Sequence, residues 1–243
     1  MKKYFLLFMV MVMILGLTYS AGERVVMTLA GESKFIPISR VKINEKISLT
    51  FNIYKIDDEL FAILDTLDKN NVTATFYITK TLIEDNPETI SKINEIGSEV
   101  GLLAFNQIKI KNLTRKMIKE ELYSVSQKLE QTTGKKLKTI RPEGTVNQEI
   151  IYVAEEMGIF TVLWDLDSND MKAIGVSDIV ERVRSGATEG SIILFNTGIY
   201  TPDAINIIIR YLQEESYIIC SVENMIYIEN YTVNINGEQQ RRN

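Results

Sequence analysis

The sequence predicts an α/β fold built on parallel strands, and three observations predict it. From Ile47 onward, short apolar runs alternate seven times with stretches whose apolar residues recur at helical spacing. That rhythm calls for parallel strands joined by right-handed helical crossovers. The run Ile159–Leu163 is nearly continuous, apolar and rich in β-branched residues, which suits a strand covered on both faces. It then stops on three carboxylates, Asp165, Asp167 and Asp170, and in α/β folds chemistry sits beyond the carboxyl ends of the strands. Three acids gathered there would repel one another unless a cation or hydrogen-bond donors held them. In the plainer reading, Asp167 and Ser168 only cap a turn.

Ile47–Ile53 reads as the first strand of the series, and Asp57 as the cap of a helix through Leu60, Ile63, Leu64 and Leu67. Val72–Ile78 is a strand with interleaved threonines. Asn86 stands as a cap before Pro87, the first position of a helix that Gly97 ends. Glu99–Leu103 is a short strand. Thr114 opens a long amphipathic helix through Ile118, Leu122, Val125 and Leu129, closed by Gly134. The second half repeats the rhythm. Leu137–Ile140 is a brief strand, Asn147 caps a helix that ends at Gly158, and Ile159–Leu163 follows. Ser177 opens a helix through Ile179, Val180 and Val183. Ser191–Leu194 is the next strand, and Thr201-Pro202 starts a helix through Ile205, Ile208, Ile209 and Leu212. Tyr217–Cys220 and a short helix from Ser221 to about Tyr227 finish the series.

The alternation runs without a Pro- or Gly-rich linker, so residues 47–227 read as one domain. Residues 22–46 are an N-terminal arm in which Ile36-Pro37-Ile38 and Val41-Lys42-Ile43 are candidate edge strands. Residues 228–243 read as a polar, poorly ordered C-terminal tail. Residues 1–21 lie outside the fold. Lys2 and Lys3 precede an apolar run from Tyr4 to Leu17, and small residues follow at Thr18, Ser20 and Ala21. This is a secretory signal pattern, with an uncleaved anchor over residues 4–18 as the alternative. Either way the body is expected to be secreted or extracytoplasmic, touching a membrane only through this segment.

An apolar fraction of 45% and a charged fraction of 24% are those of an ordinary globular protein. A net charge of −5 without any basic run argues against a nucleic-acid surface. The one cysteine, Cys220, excludes an internal disulfide. The absence of histidine removes the commonest metal ligand and the commonest general base.

From about Ile36 to Ile226 the chain resembles the polysaccharide deacetylase (NodB-homology) family, most closely the branch found in spore-forming bacteria. The matching stretches are Ser48-Leu49-Thr50-Phe51-Asn52, Val72–Tyr77, Gly97–Gly101, Ile140-Arg141-Pro142, Trp164–Asp170 and Gly190–Asn196. The resemblance implies a distorted (β/α) barrel of about seven parallel strands with a groove at their carboxyl ends. It also implies chemistry: a divalent metal, usually zinc, activates water to remove acetyl groups from sugar polymers. A bound metal lowers the pKa of that water from ~15.7 to ~7.

Aligned by spacing, the parts of that chemistry are replaced. The family's Thr-Phe-Asp-Asp, base then metal ligand, reads Thr50-Phe51-Asn52-Ile53. Its two histidine ligands, four residues apart, fall on Leu103 and Gln107. The Arg that orients the base survives as Arg141, in Arg141-Pro142-Glu143-Gly144, and would face a neutral Asn52; a salt bridge to Asp167 or Glu143 is the alternative. The motif Trp164–Asp170 is kept, although its usual closing Trp is Met171. The acid histidine of the last motif, aligned as Leu194-Phe195-Asn196, falls on Phe195. No catalytic residue is therefore intact at Asn52, Ile53, Leu103, Gln107 or Phe195, while Arg141, Asp167 and Asp170 persist in supporting roles.

These residues lead to an expected loss of deacetylation with no bound metal, and to a retained glycan-binding or structural role in the cell envelope or spore. The expected glycan is a peptidoglycan- or chitin-like polymer. Trp164, Tyr54, Phe105, Asn196 and Tyr200, with Phe195, are the candidate groove residues, since aromatic rings stack on sugars. The alternative is an active deacetylase in which Asp165, Asp167 and Asp170 hold a hard cation through oxygen.

Overall fold

The computed structural model describes residues 35–104, 114–144 and 146–242. The expected signal segment, residues 22–34 of the arm, Phe105 and Gln107 lie outside the described residues. In chain order the elements are β1 (Arg40–Val41), β2 (Lys46–Ile53), α1 (Asp58–Lys69), β3 (Thr75–Thr79), α2 (Lys80–Asp85), α3 (Pro87–Glu95) and β4 (Glu99–Ala104). Next come α4 (Arg115–Thr133), β5 (Thr139–Pro142), α5 (Gln148–Glu156), β6 (Phe160–Thr161), β7 (Leu166–Asp167), α6 (Val176–Gly186), β8 (Ile192–Phe195), α7 (Thr201–Glu214) and β9 (Ile218–Ile219). The hairpin β10 (Tyr231–Val233) and β11 (Glu238–Arg241) closes the chain.

Seven strands run parallel in the order β6-β5-β4-β3-β2-β8-β7, and β9 lies beside the amino end of β2. The parallel strands are those the sequence pattern calls for, and their arrangement is the incomplete (β/α) barrel that the family resemblance implies. Strand alternation divides the core in two. Ile47, Leu49, Phe51 and Ile53 of β2 join the helix-facing core with Leu60, Ile63, Leu64 and Leu67 of α1. Each such fully buried side chain contributes about 1.5–3 kcal/mol. The alternate residues Ser48, Thr50 and Asn52 point into the barrel, where a second cluster gathers Tyr77, Leu103, Val162 and Ile192.

Local chemistry explains most of the helix ends. Asp57 accepts from the Leu60 amide, Thr114 from Met117 and Asn147 from Glu149, and Gly134 closes α4 at φ 75°. Asn86 does not cap: its side-chain amide instead donates back to the Leu82 carbonyl of the preceding helix. Helix α6 begins at Val176, one residue before Ser177, and Asp178 accepts from the Ile174 amide at its start. The expected helix after Ser221 is a single 3-10 turn, Val222–Asn224.

The reading of residues 228–243 as a poorly ordered tail is corrected. β10 and β11 pair antiparallel, and β1 adds in parallel to β11. Polar composition concealed the hairpin because its central residue, Gln239, is fully buried with its amide satisfied by the backbone of Tyr227. The arm is equally engaged. Ile38 bridges Val162 beyond β6, while Arg40 bridges Ser191 just before β8, so residues 38–41 reach from the edge strand β6 to the start of β8.

Candidate functional site

At the carboxyl ends of β2 and β5 an amide meets a buried guanidinium. Arg141 has no exposed surface. Its Nη1 donates to Asn52 Oδ1 at 3.1 Å and its Nη2 to the Leu163 carbonyl at 2.9 Å. Neither Asp167 nor Glu143 is its hydrogen-bond partner. The guanidinium lies 4.0 Å from the centre of the Tyr77 ring and 5.4 Å from that of Trp164. Burial lowers the pKa of Arg141 to about 10. Because the guanidinium can only donate, it holds the Asn52 oxygen, and the Asn52 Nδ2 turns to Asn196 Oδ1 at 3.3 Å.

Tyr77 is the platform for this arrangement, and sequence patterns did not single it out. A side chain at Gly101 would collide with it: a Cβ there would sit 2.7 Å from Tyr77 Cδ1 and 2.9 Å from Thr139 Oγ1. The glycine therefore lets the ring lie flat across β4 under the guanidinium. Gly101→Ala is expected to cost about 1–3 kcal/mol through overpacking. It should also shift the emission of Trp164, read by urea unfolding and steady-state fluorescence; unchanged stability and emission would contradict the platform role. The signal available in the sequence was an inward-facing glycine beside an inward-facing tyrosine on adjacent strands, which only the register reveals.

Tyr54 follows β2 and is half exposed. Burial, then its hydrogen bond to Glu143, pushes its hydroxyl up to about 12. Trp164 is partly exposed and packs on the inner cluster, whereas Tyr200 packs on the helix-facing core. The described residues around Arg141 are thus Asn52 and Trp164, with Asn196 beside Asn52 and Tyr54 beside Glu143.

Phe195 is not among them. It pairs in register with Phe51, stacks on that ring at 5.3 Å and is fully buried toward the helices. The expectation that Phe195 occupies the acid position and can stack on sugar is corrected: by strand parity the residue facing Asn52 is Asn196.

The three aspartates do not converge. Asp165 accepts from Arg40 Nη1, Ser191 Oγ and the Ile192 amide, at 2.9, 2.9 and 2.7 Å. Asp167 caps its own turn through the Asn169 amide at 2.8 Å. Asp170, buried, accepts from the amides of Asn196 and Gly198 and from Thr201 Oγ1 at 2.6 Å. Each carboxylate has hydrogen-bond donors of its own. Among the described residues no three acidic or cysteine side chains cluster to hold a metal.

Zinc does not fit the positions the family resemblance assigns to it. Ile53 is buried in the helix-facing core and Leu103 in the inner cluster, and neither has a lone pair. The Asn52 oxygen already accepts from a cation, Arg141, whose charge opposes a second one.

Comparison with known proteins agrees with this architecture. The family model for polysaccharide deacetylase matches residues 40–162. The peptidoglycan-N-acetylglucosamine deacetylase PgdA of Listeria monocytogenes is 28% identical over 160 residues, 65% of this chain and 34% of that protein. The peptidoglycan-N-acetylmuramic acid deacetylase PdaC of Bacillus subtilis is 29% identical over 186 residues, 75% of this chain and 39% of that protein. The chain therefore spans between a third and two fifths of the length of these two relatives. The solved structure of PdaC superposes with a TM-score of 0.65 at 27% identity, covering 74% of this chain and 89% of that one. A CE4 family pseudoenzyme from Bacillus anthracis gives a TM-score of 0.72 at 22% identity, covering 86% of this chain and 73% of that one.

Proposed function

From the premise that the chain belongs to the polysaccharide deacetylase family, we propose that it is an extracytoplasmic member that has lost metal-dependent deacetylation. It retains a glycan-binding or structural role in the cell envelope or spore. The observation that carries this reading is the Arg141–Asn52–Asn196 chain of hydrogen bonds. An amide cannot take a proton from water at neutral pH, and a second amide cannot deliver one to a leaving group. The neighbouring positions Ile53 and Leu103 supply apolar surface instead of metal ligands. The glycan suggested by the named relatives is peptidoglycan, with chitin-like polymers as the second candidate. Tyr54 and Trp164 offer stacking surface in the groove. The alternative of a hard-cation site on Asp165, Asp167 and Asp170 is disfavoured, because each carboxylate already has its own donors.

Purified protein is expected to contain no stoichiometric zinc and to release no acetate from acetylated chito-oligosaccharides or peptidoglycan. Asn52→Asp alone should leave it inactive, since base, metal and acid act as a unit. Metal analysis with an acetate-release assay checks both statements. Metal-dependent release by the unmodified protein, abolished by Asp167→Ala, would replace the proposal with the carboxylate-site enzyme. Pull-down with insoluble peptidoglycan and chitin then separates the two retained roles: retention that falls on Trp164→Ala supports glycan binding, and no retention on either polymer supports a purely structural role.

A further inference from the structure

The barrel interior buries a second charge that the groove does not use. Glu99 begins β4 and is 4% exposed. Its Oε1 accepts from Thr139 Oγ1 at 2.5 Å, and its Oε2 from Thr75 Oγ1 at 2.7 Å and from the Glu223 amide at 2.9 Å. The Thr75 hydroxyl is itself oriented, because its oxygen accepts from the Val222 amide at 2.8 Å. The carboxylate thus ties three strands to the 3-10 turn that ends the barrel.

Strand register stacks these residues along the barrel axis. Glu99 pairs with Thr75, Gly101 with Tyr77 and with the level of Thr139, and Leu103 with Arg141. Tyr77 therefore separates a buried carboxylate below from a buried guanidinium above. A cation as deeply buried as Arg141 needs a counter-charge, and among the described residues its hydrogen bonds reach an amide and two carbonyls.

We infer that Glu99 and Arg141 form a proton-dependent charge couple across the Tyr77 ring. With Glu99 ionised the pair is neutral; with Glu99 protonated the guanidinium stands alone beneath the groove. The ionisable groups facing Glu99 are few. Tyr77 approaches from β3, Arg141 from β5 and Glu223 from the 3-10 turn. Lys135, Lys136 and Lys138 stand with Glu99 and Glu223 around a cavity of about 20 Å³, and Lys135 lies 3.9 Å from Glu223. That volume is large enough for one water.

Burial raises the pKa of Glu99 against the three donors that lower it, and the nearby Glu223 adds to the rise. The folded protein therefore binds this proton more tightly than the unfolded chain does. The corresponding stability is fully present below the ordinary glutamate range and is lost as pH rises through the folded value.

Trp164 is the one tryptophan of the chain, 5.4 Å from the Arg141 guanidinium, and reports on the couple directly. Its emission in the full folded protein should titrate with a midpoint above the ordinary glutamate range. Glu99→Gln should abolish that transition, and its thermal midpoint should gain on the wild type as pH rises. Thr139→Val removes a donor to the carboxylate and should move the midpoint upward; it decides the matter if Glu99→Gln does not fold. A wild-type protein without the transition, the same transition in Glu99→Gln, or an unmoved midpoint in Thr139→Val would overturn the couple.

Discussion

Gly190→Ala is expected to destabilise the protein by about 2–5 kcal/mol, through a left-handed backbone cost of roughly 1–2 kcal/mol and an overpacking cost of roughly 1–3 kcal/mol. Gly190 has φ 79°, and a Cβ there would lie 1.7 Å from the Val41 carbonyl oxygen. No rotamer can relieve the clash, because both partners are backbone. The chain at Gly190 also donates to the Lys46 carbonyl and accepts from the Val41 amide, at 2.7 and 3.0 Å. Moving it therefore detaches the arm from β2. Urea unfolding measures the loss, and hydrogen exchange at Val41 and Lys42 should quicken well beyond what the stability change requires. Gly158→Ala is the internal comparison. It has a similar φ of 71° but open space around its Cβ, so only the backbone cost of roughly 1–2 kcal/mol applies. Equal effects at the two glycines would contradict the role given to the arm.

Asp170→Ala should be comparably damaging, at about 2 kcal/mol or more, whereas Asp167→Ala should cost about 0.5–1.5 kcal/mol. Both are aspartates of one short motif, but their surroundings differ. Asp170 is 2% exposed and collects the Asn196 and Gly198 amides and the Thr201 hydroxyl. Its removal leaves two buried donors, the Gly198 amide and the Thr201 hydroxyl, and the part-buried Asn196 amide without an acceptor, each buried one at about 1–3 kcal/mol. Those donors begin the loop that leads into α7 and carries Asn196 toward Asn52, so the groove should loosen along with the fold. Asp167 is exposed and holds one amide of its own turn. Thermal denaturation of the two variants side by side checks the contrast. Equal losses would mean that the Asn196–Thr201 loop is held by something other than Asp170.

The seven alternations and the caps at Asp57, Thr114 and Asn147 were legible because each rests on a pattern within a few residues. The run Ile159–Leu163, expected as a strand covered on both faces, is instead the two-residue edge strand Phe160–Thr161 with Phe160 partly exposed. The proposed loss of the family's base and ligands rests on the same kind of local reading, at Asn52, Ile53 and Leu103. Phe195 was misplaced because a one-residue shift along a strand exchanges its faces, and the motif Leu194-Phe195-Asn196 carries no local mark of which residue points inward. The terminal hairpin was missed because Gln239 is polar and its burial depends on Tyr227, twelve residues earlier. Glu99 read as an ordinary strand residue for the same reason: its donors come from Thr75, Thr139 and Glu223, far apart in the chain.

By itself, then, the sequence determined the parallel α/β architecture, the family and the absence of any histidine-based chemistry, since periodicity, motif spacing and composition are local or global properties of the string. Only the tertiary structure decided which polar groups are buried and whom they meet. It separated Asp165, Asp167 and Asp170 into three unrelated tasks, set Asn196 rather than Phe195 against Asn52, and placed Glu99 and Arg141 on either side of Tyr77. The physical reason is that a side chain's direction along a strand and the partner of a buried polar group are settled by register between strands distant in sequence, which no single stretch of residues contains.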